Sequence, residues 1–293
     1  MELASPITIY WDLPAKLAVT DTLLQWCADI AACHPLMLQV TVAGQSLGEG
    51  AVAVLETFRG GPVAVTLTVP LPAFDAATVD MLRELKVQEV LLAAESVDRL
   101  REGREAFRHS PPPPVGISFT VTRRNWRELP ALVAWCREQG VSRLVLPMQR
   151  LYGGETPFSI TRDEQRELAA ALADAGGVSG LNLTIHDPFL WRACNPNVPF
   201  PQGGCQAANT MLAIAPDGGV YPCPTLPVRL GTLVESPLRE IIASSAKKAF
   251  RLRLRETPRE CLECSELAEC RGGCLGRAYV VHGSHEGADP ACR

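Results

Sequence analysis

Short apolar, β-branched runs alternate with longer amphipathic stretches through the first two-thirds of the chain. The amphipathic stretches 75–85, 124–139 and 161–175 have helical periodicity, and Thr161 with Glu164 three residues later is a helix start signal. The apolar runs predict six strands with helices between them. The predicted strands are residues 7–13, 36–42, 63–69, 87–94, 115–122 and 141–148.

Six strands that alternate with helices indicate an α/β fold of parallel βα units. The strands are nearly continuous in apolar residues, which predicts a sheet buried on both faces. Six units followed by the apolar segment 181–188 favour an open or partial barrel, although a doubly wound sheet fits the same periodicity. In either fold, ligands bind at the C-terminal ends of the strands. Four prolines at 111–114 predict a stiff loop before the fifth strand.

Composition and charge argue against a nucleic-acid-binding protein and against a membrane protein. The chain has 293 residues, of which 47% are hydrophobic, and a formal net charge of -4, which argues against nucleic acid as the main partner. No apolar run reaches eighteen residues, so we expect no transmembrane helix. The first residues lack a basic stretch followed by an apolar one, so we expect no signal peptide and a cytoplasmic location.

The cysteines are unevenly distributed. Eight of the 11 fall in the last third of the chain, and disulfides are rare in the cytosol, so this clustering indicates metal binding. A shift to Pro, Gly and Asn at 187–204 predicts a domain boundary that separates residues 1–188 from residues 189–293. Cys27, Cys33 and Cys136 lie in apolar helical surroundings and are interpreted as core residues.

Seven of the late cysteines form an ordered array. An Asp217-Gly218 turn predicts a hairpin between the first two, and Cys261 and Cys264 are two residues apart, so that one turn presents two thiolates to one centre. Soft thiolates select zinc or iron–sulfur clusters, and flanking glycines let backbone N–H groups approach the sulfurs. The array consists of Cys205, Cys223, Cys261, Cys264, Cys270, Cys274 and Cys292.

At all seven cysteines and at Gly218, residues 205–292 resemble the SPASM domain, the cluster-bearing extension of radical S-adenosylmethionine enzymes that modify peptides and proteins. The resemblance implies two [4Fe–4S] clusters with interleaved ligands. One would be held by Cys261, Cys264, Cys270 and Cys292. The other would be held by Cys205, Cys223 and Cys274, with Cys194 as the candidate fourth ligand. The alternatives to Cys194 are an open iron or a ligand such as His186 or Asp187.

Residues 1–188 resemble a degenerate form of the partial (β/α)6 barrel of the same enzymes. Active members place three cysteines, spaced by three and two residues, just after the first strand, but this chain has only Cys27 and Cys33 nearby. The Gly-Gly-Glu-Pro stretch that follows the second strand in the family is replaced by Ala-Gly-Gln-Ser-Leu at 43–47. The departures imply that this chain does not bind or cleave S-adenosylmethionine.

Over most of its length the chain is similar to the SPASM-domain companion proteins of GeoRSP peptide-modification systems, which begin with a similar proline-then-IYWDL stretch. That resemblance implies three partners: a complete radical enzyme, a PqqD-like peptide-binding protein and a precursor peptide. The leading hypothesis is therefore a non-catalytic accessory protein. The alternatives are an enzyme whose second cluster binds substrate at an open iron, and a zinc-stapled scaffold.

Two other features have ordinary interpretations. The stretch 239–259 is locally basic and is interpreted as a solvated helix face, although such cations can also offset the charge of a nearby cluster or dock an acidic partner. His282 and His285 are interpreted as surface loop residues, because the cysteines already suffice as ligands.

Overall fold

A computed structural model of the chain describes residues 3, 5–107, 113–200, 204–284 and 286–292. The predicted loop at 111–114 lies partly outside these residues, and His285 lies wholly outside them. The first seven described strands are parallel and lie side by side in chain order. They are β1 (Thr8–Leu13), β2 (Met37–Val42), β3 (Ala64–Pro70), β4 (Glu89–Ala94), β5 (Val115–Phe119), β6 (Arg143–Leu146) and β7 (Asn182–Ile185).

The strand order decides between the two folds that the periodicity allowed. A doubly wound sheet reverses its order at a switch point, whereas these seven strands follow one another without reversal. Each of the six predicted strands is present, and the apolar segment at 181–188 supplies the seventh. The predicted partial barrel is therefore confirmed.

Helices follow most of these strands. The capping box predicted at Thr161 is present, because its side chain accepts from the Glu164 backbone and the Glu164 side chain accepts from the Thr161 backbone. In the described part of the chain, no helix is long and apolar enough to cross a membrane. The helices are α1 (Asp21–Ala32), α2 (Glu49–Phe58), α3 (Ala76–Glu84), α4 (Val97–Glu102), α5 (Leu129–Gln139), α6 (Arg162–Asp174) and α7 (Pro188–Cys194).

The two faces of the sheet differ in polarity. Side chains that alternate along each strand, such as Leu38 and Val40 of β2, are fully buried on the face that packs against the helices. Their neighbours Gln39 and Thr41 line a cavity of about 500 Å³ on the concave face. The predicted burial of both faces therefore holds only in part on the concave face, where Gln39 and Thr41 are half-buried but Thr66, Leu91 and Ser118 are buried. The polar residues Gln39 and Thr41 of β2 alternate with apolar ones, and this period of two in the sequence corresponds to the two faces.

The last third of the chain continues the same sheet. β8 (Met211–Ile214) pairs in parallel with β1, and the predicted hairpin joins it to β9 (Gly219–Tyr221), which pairs with β10 (Gly231–Thr232). The sequence shift near residue 188 therefore does not separate the sheet into two, and the division into residues 1–188 and 189–293 stays a prediction. The helices that follow are α8 (Leu238–Ala243), α9 (Ser245–Arg253), α10 (Leu267–Cys270) and α11 (Leu275–His282).

Gly218 joins the hairpin to the first helix of the barrel. Its φ of +79° lies in the left-handed region, and a Cβ atom there would lie 2.7 Å from Cη2 of Trp26 on α1. The Trp26 indole N–H donates to the Leu233 carbonyl at 3.2 Å, which fixes the ring over the turn. Only glycine allows both the turn and this close approach.

We expect Gly218→Ala to destabilise the chain by about 1–3 kcal/mol, because it combines backbone strain with an overpacked contact. The measurement is the chemical denaturation midpoint. Gly140→Ala is the matched control, since Gly140 has a φ of +69° and nothing within 4 Å of a built Cβ atom. A loss no larger than that of the control would show that the Trp26 contact contributes nothing.

Candidate metal centres

The first group of cysteines comes from two short turns and one helix. Cys261 ends the turn Arg259–Cys261, Cys270 ends α10, and Cys292 ends the turn Pro290–Cys292. Burial raises the pKa of the Cys261 thiol, and the neighbouring thiols of Cys270, Cys292 and Cys264 raise it further. The four cysteines that the resemblance assigns to one cluster therefore lie close enough for their charges to act on one another, while their role as ligands stays a prediction.

Two arginines of the barrel helices bind the segment between Cys264 and Cys270. Glu266, which lies between Cys264 and Cys270, accepts from Arg162 of α6 at 3.1 Å and from Arg192 of α7 at 3.0 Å. Arg162 also donates from Nε to the Cys292 carbonyl at 2.8 Å. The cysteine loop is therefore attached to two helices that follow the sixth and seventh strands.

The second group is more deeply buried. Burial raises the pKa of the Cys223 thiol, followed by the effects of the neighbouring Cys205 and Cys274 thiols. These three cysteines line a cavity of about 330 Å³, and Cys270 of the first group lines it as well. Backbone N–H groups donate to these sulfurs: Ala207 to Cys205, Thr225 and Leu226 to Cys223, and Arg277 to Cys274.

Hydrogen bonds of this kind suit a cysteine that binds a cluster as a thiolate, because an N–H donor stabilises the negative charge on the sulfur. In the part of the chain that the structure describes, no three His, Cys, Asp or Glu side chains converge as a site for one metal ion. Instead, Cys205, Cys223 and Cys274 line one cavity. A four-iron cluster is bound in this way, with one thiolate at each iron corner. The residues present therefore fit a cluster.

Cys194 lies apart from the second group. It is the last residue of α7, is 9% exposed and belongs to the main hydrophobic core with Leu190 and Ala193. Burial, and then the nearby Asp187 carboxylate, raise the pKa of its thiol to about 12. Among the residues that line the 330 Å³ cavity are His186 and Asp187, but not Cys194. Its assignment as the eighth ligand stays a prediction.

The two side chains named as alternatives to Cys194, His186 and Asp187, differ in how many of their polar atoms already accept or donate hydrogen bonds. Asp187 is the N-cap of α7, where Oδ1 accepts from the backbone of Phe189 at 2.9 Å and of Leu190 at 3.0 Å, and Oδ2 accepts from Arg277. His186 makes one hydrogen bond, between Nε2 and the Tyr10 hydroxyl at 3.2 Å. Burial lowers the pKa of His186, which keeps the imidazole neutral and able to bind a metal.

His186 also borders the concave cavity, so the two cavities share a wall. In the concave cavity, Arg150 donates to both carboxylate oxygens of Asp12, at 2.9 and 3.0 Å, and to Thr41 at 3.3 Å. Tyr152 donates to Asp12 at 3.3 Å. The charged groups at the C-terminal end of β1 therefore satisfy one another.

Cys27 lies on α1 and Cys33 is the C-cap of that helix, and both are buried in the hydrophobic core, as interpreted from the sequence. Burial raises the pKa of each thiol to about 11, which keeps both protonated at neutral pH. Cys136 is likewise buried in α5, and burial raises its pKa to about 12. None of these three residues is placed as a metal ligand would be.

The cations near the thiol groups were mostly missed by the sequence analysis. Within the basic stretch 239–259, Arg251 is buried and donates to the Cys205 carbonyl at 2.7 Å. The other cations beside the cysteines are Arg162, Arg192 and Arg277, each from a helix outside that stretch. Only the position of Arg277, three residues after Cys274, could have signalled such a role.

Two kinds of comparison bear on the site. Residues 205–265 match the SPASM family, described as an iron–sulfur cluster-binding domain. The matched range contains Cys205, Cys223, Cys261 and Cys264 and ends before the other cysteines of the array. Iron–sulfur binding is thus the coarse function of this region.

Solved structures show the same fold over nearly the whole chain. SuiB from Streptococcus suis is similar with a TM-score of 0.70 and 16% identity, over 100% of this chain and 78% of SuiB. SuiB has also been solved with S-adenosylmethionine and with the precursor peptide SuiA. anSMEcpe with bound AdoMet and Cp18Cys peptide is similar with a TM-score of 0.66 and 16% identity, over 97% of this chain and 93% of that one. The chain therefore has the radical-SAM-like fold expected of it and carries a SPASM iron–sulfur cluster-binding domain at residues 205–265.

Proposed function

We propose that this chain is a non-catalytic iron–sulfur accessory protein that works beside a radical S-adenosylmethionine enzyme in ribosomal peptide modification. It carries two auxiliary [4Fe–4S] clusters, one at Cys261, Cys264, Cys270 and Cys292, and one at Cys205, Cys223 and Cys274. The observation that carries the proposal is the contrast between the two ends of the chain. In the SPASM region the thiols of neighbouring cysteines raise one another's pKa, which supports two groups of ligands, while Cys27 and Cys33 are buried in the hydrophobic core at α1 and its C-cap.

The residues after β1 support the non-catalytic part of the proposal. The segment 14–20 that joins β1 to α1 contains no cysteine, and the three-cysteine spacing of the active enzymes does not occur in the printed sequence. After β2, the segment 43–47 lacks the acidic residue of the family pattern. We therefore propose that this chain does not cleave S-adenosylmethionine, although the structurally similar SuiB and anSMEcpe bind it.

The clusters, when bound, supply one-electron transfer or structural cross-links. The chain's own residues position them against the barrel through Arg162, Arg192 and Arg277. SuiB and anSMEcpe were solved with peptides, which supports a peptide as the molecule that this fold engages. The proposed partners are a radical enzyme with its own SPASM domain, the precursor peptide and, from the sequence resemblance alone, a PqqD-like peptide-binding protein.

A second candidate function is an enzyme that binds substrate at an open iron of the second cluster. The observation in its favour is the separation of Cys194 from the cavity that Cys205, Cys223 and Cys274 border. That cavity shares His186, Met148 and Gln149 with the cavity on the concave face, so a molecule bound there would lie next to the second cluster. Replacement of Cys194 discriminates between the two functions.

The first test is metal analysis of protein that is purified without oxygen and reconstituted with iron and sulfide. We expect about eight irons and eight sulfides per chain, twice the complement of one [4Fe–4S] cluster, and co-purification with the radical enzyme. About twelve irons would overturn the non-catalytic part, because a third cluster would be present. Stoichiometric zinc without sulfide would overturn both cluster functions and leave a zinc-stapled scaffold.

A further inference from the structure

A buried triad of charges joins the C-terminal segment to the barrel. Arg277 of α11 donates from Nε and Nη2 to the two carboxylate oxygens of Asp289, both at 2.7 Å. Its Nη1 donates to Asp187, the N-cap of α7, and to the Phe158 carbonyl at 3.0 Å. The side chains of Arg277 and Asp289 are 4% and 0% exposed. Two carboxylates thus share one guanidinium.

The triad touches the second group of cysteines directly. The backbone N–H of Cys274 donates to Asp289 Oδ2 at 2.6 Å. Asp289 approaches so closely that a Cβ atom on Gly273, whose φ is +72°, would lie 2.6 Å from its side chain. Asp289 Oδ1 also accepts from the Ala291 backbone at 3.0 Å. These contacts hold the Asp289 carboxylate in one position, next to the backbone of Cys274.

The charge of this triad does not cancel. Arg277 supplies one positive charge against the two negative charges of Asp187 and Asp289, which leaves one net negative charge. Arg277 and Asp289 are buried, and Asp187 is 20% exposed. Charges interact strongly in such a site because water does not screen them. The amide of Cys274 points to a carboxylate, so it is not available to stabilise charge on a sulfur.

We propose that Asp289 and Asp187, held by Arg277, lower the reduction potential of the cluster that Cys205, Cys223 and Cys274 bind. The reduced cluster carries one more negative charge than the oxidised one, so a fixed negative charge beside Cys274 favours the oxidised state. Asp289 and Asp187 are positioning residues in this inference. Asp187 was also an alternative fourth ligand, but its Oδ1 accepts from the backbone of Phe189 and Leu190 and its Oδ2 accepts from Arg277. This inference rests on the proposed function, because it requires the second cluster.

The test is a dithionite titration of the fully reconstituted chain at controlled potentials, followed by EPR. Asp289→Asn and Asp187→Asn each remove one negative charge and keep the shape of the side chain, and asparagine retains the N-cap role of residue 187. We expect each variant to raise the ratio of reduced to oxidised second cluster about tenfold at the wild-type midpoint, a positive shift of about 59 mV for one electron.

Asp98→Asn is the matched control, because it removes the same charge from an exposed pair on α4. Asp187→Asn decides the result if Asp289→Asn does not assemble its clusters. A midpoint equal to that of the control, or lower than in the wild type, would overturn the inference. Iron analysis separates this outcome from a failure of the proposed function, in which the wild-type chain itself would lack the second cluster.

Discussion

The double variant Cys261→Ala/Cys264→Ala is expected to bind about four irons per chain, where the wild-type chain binds about eight. Both thiols belong to the group that gathers with Cys270 and Cys292, so their loss removes half of the ligands of one cluster. The second cluster has its own ligands and is expected to survive. Iron and sulfide analysis after anaerobic reconstitution, together with the EPR signal of the remaining cluster, measures the result.

The chain offers matched controls for this experiment. Cys27→Ala/Cys33→Ala also removes two thiols, but these are buried in α1 among apolar residues, so the variant should keep about eight irons. Cys205→Ala/Cys223→Ala should lose the other cluster and keep the first. If Cys261→Ala/Cys264→Ala still bound about eight irons, the assignment of the first group would be wrong.

The variant Cys194→Ala tests whether Cys194 is the eighth cysteine ligand. If Cys194 binds the second cluster, its replacement weakens or removes that cluster and leaves the first one intact. If the fourth iron is open or faces His186, the variant keeps both clusters, because Cys194 packs in the hydrophobic core and does not border the thiol-lined cavity. The EPR signal of the second cluster distinguishes these results more sharply than the iron content does.

Local patterns were sufficient to predict most of the barrel. The six strands are short apolar runs, and the start of α6 depends on Thr161 and Glu164, which are three residues apart. The hairpin between β8 and β9 likewise follows from the Asp217-Gly218 turn. Features of this kind depend on neighbours in the chain, so the sequence displays them directly.

Contacts between distant segments were not predictable in the same way. Nothing in the sequence indicates that β8 pairs with β1, or that Trp26 covers Gly218, because these contacts join residues far apart in the chain. The assignment of the cysteines to two groups came from a family resemblance, and it stays a prediction, although the thiols within each group are close enough for their charges to act on one another. The position of Cys194 in the core depends on how α7 packs, which spacing alone does not determine.

The same limit applies to the arginines that hold the cysteine segment. Arg162 and Arg192 lie on helices of the barrel, far in sequence from their common partner Glu266. A charge run such as 239–259 is conspicuous in a sequence, and within it Arg251 donates to the Cys205 carbonyl. Single arginines at long range therefore contribute more to the site than the basic stretch that composition reveals.

Among those arginines, Arg277 is expected to have the largest effect on stability. We expect Arg277→Met to lower the free energy of unfolding by about 3–5 kcal/mol, because it leaves buried carboxylates without their partner. Asp289 is 0% exposed and would keep only backbone donors, from Cys274 and Ala291. Methionine retains the apolar volume of the stem, so the loss reports the missing charge. Anaerobic chemical denaturation followed by circular dichroism measures it.

Arg127→Met is the matched control, because Arg127 forms a two-bond pair with Glu167 on the exposed surface, at 2.8 and 3.2 Å. Exposed pairs contribute little, so this variant should unfold at nearly the wild-type denaturant concentration. Equal midpoints for the two variants would show that the triad adds no stability. Arg277 joins α11 to both α7 and the segment before Cys292. A large loss of unfolding free energy in Arg277→Met alone would therefore mean that this buried ion-pair cluster stabilises the packing of the SPASM region against the barrel.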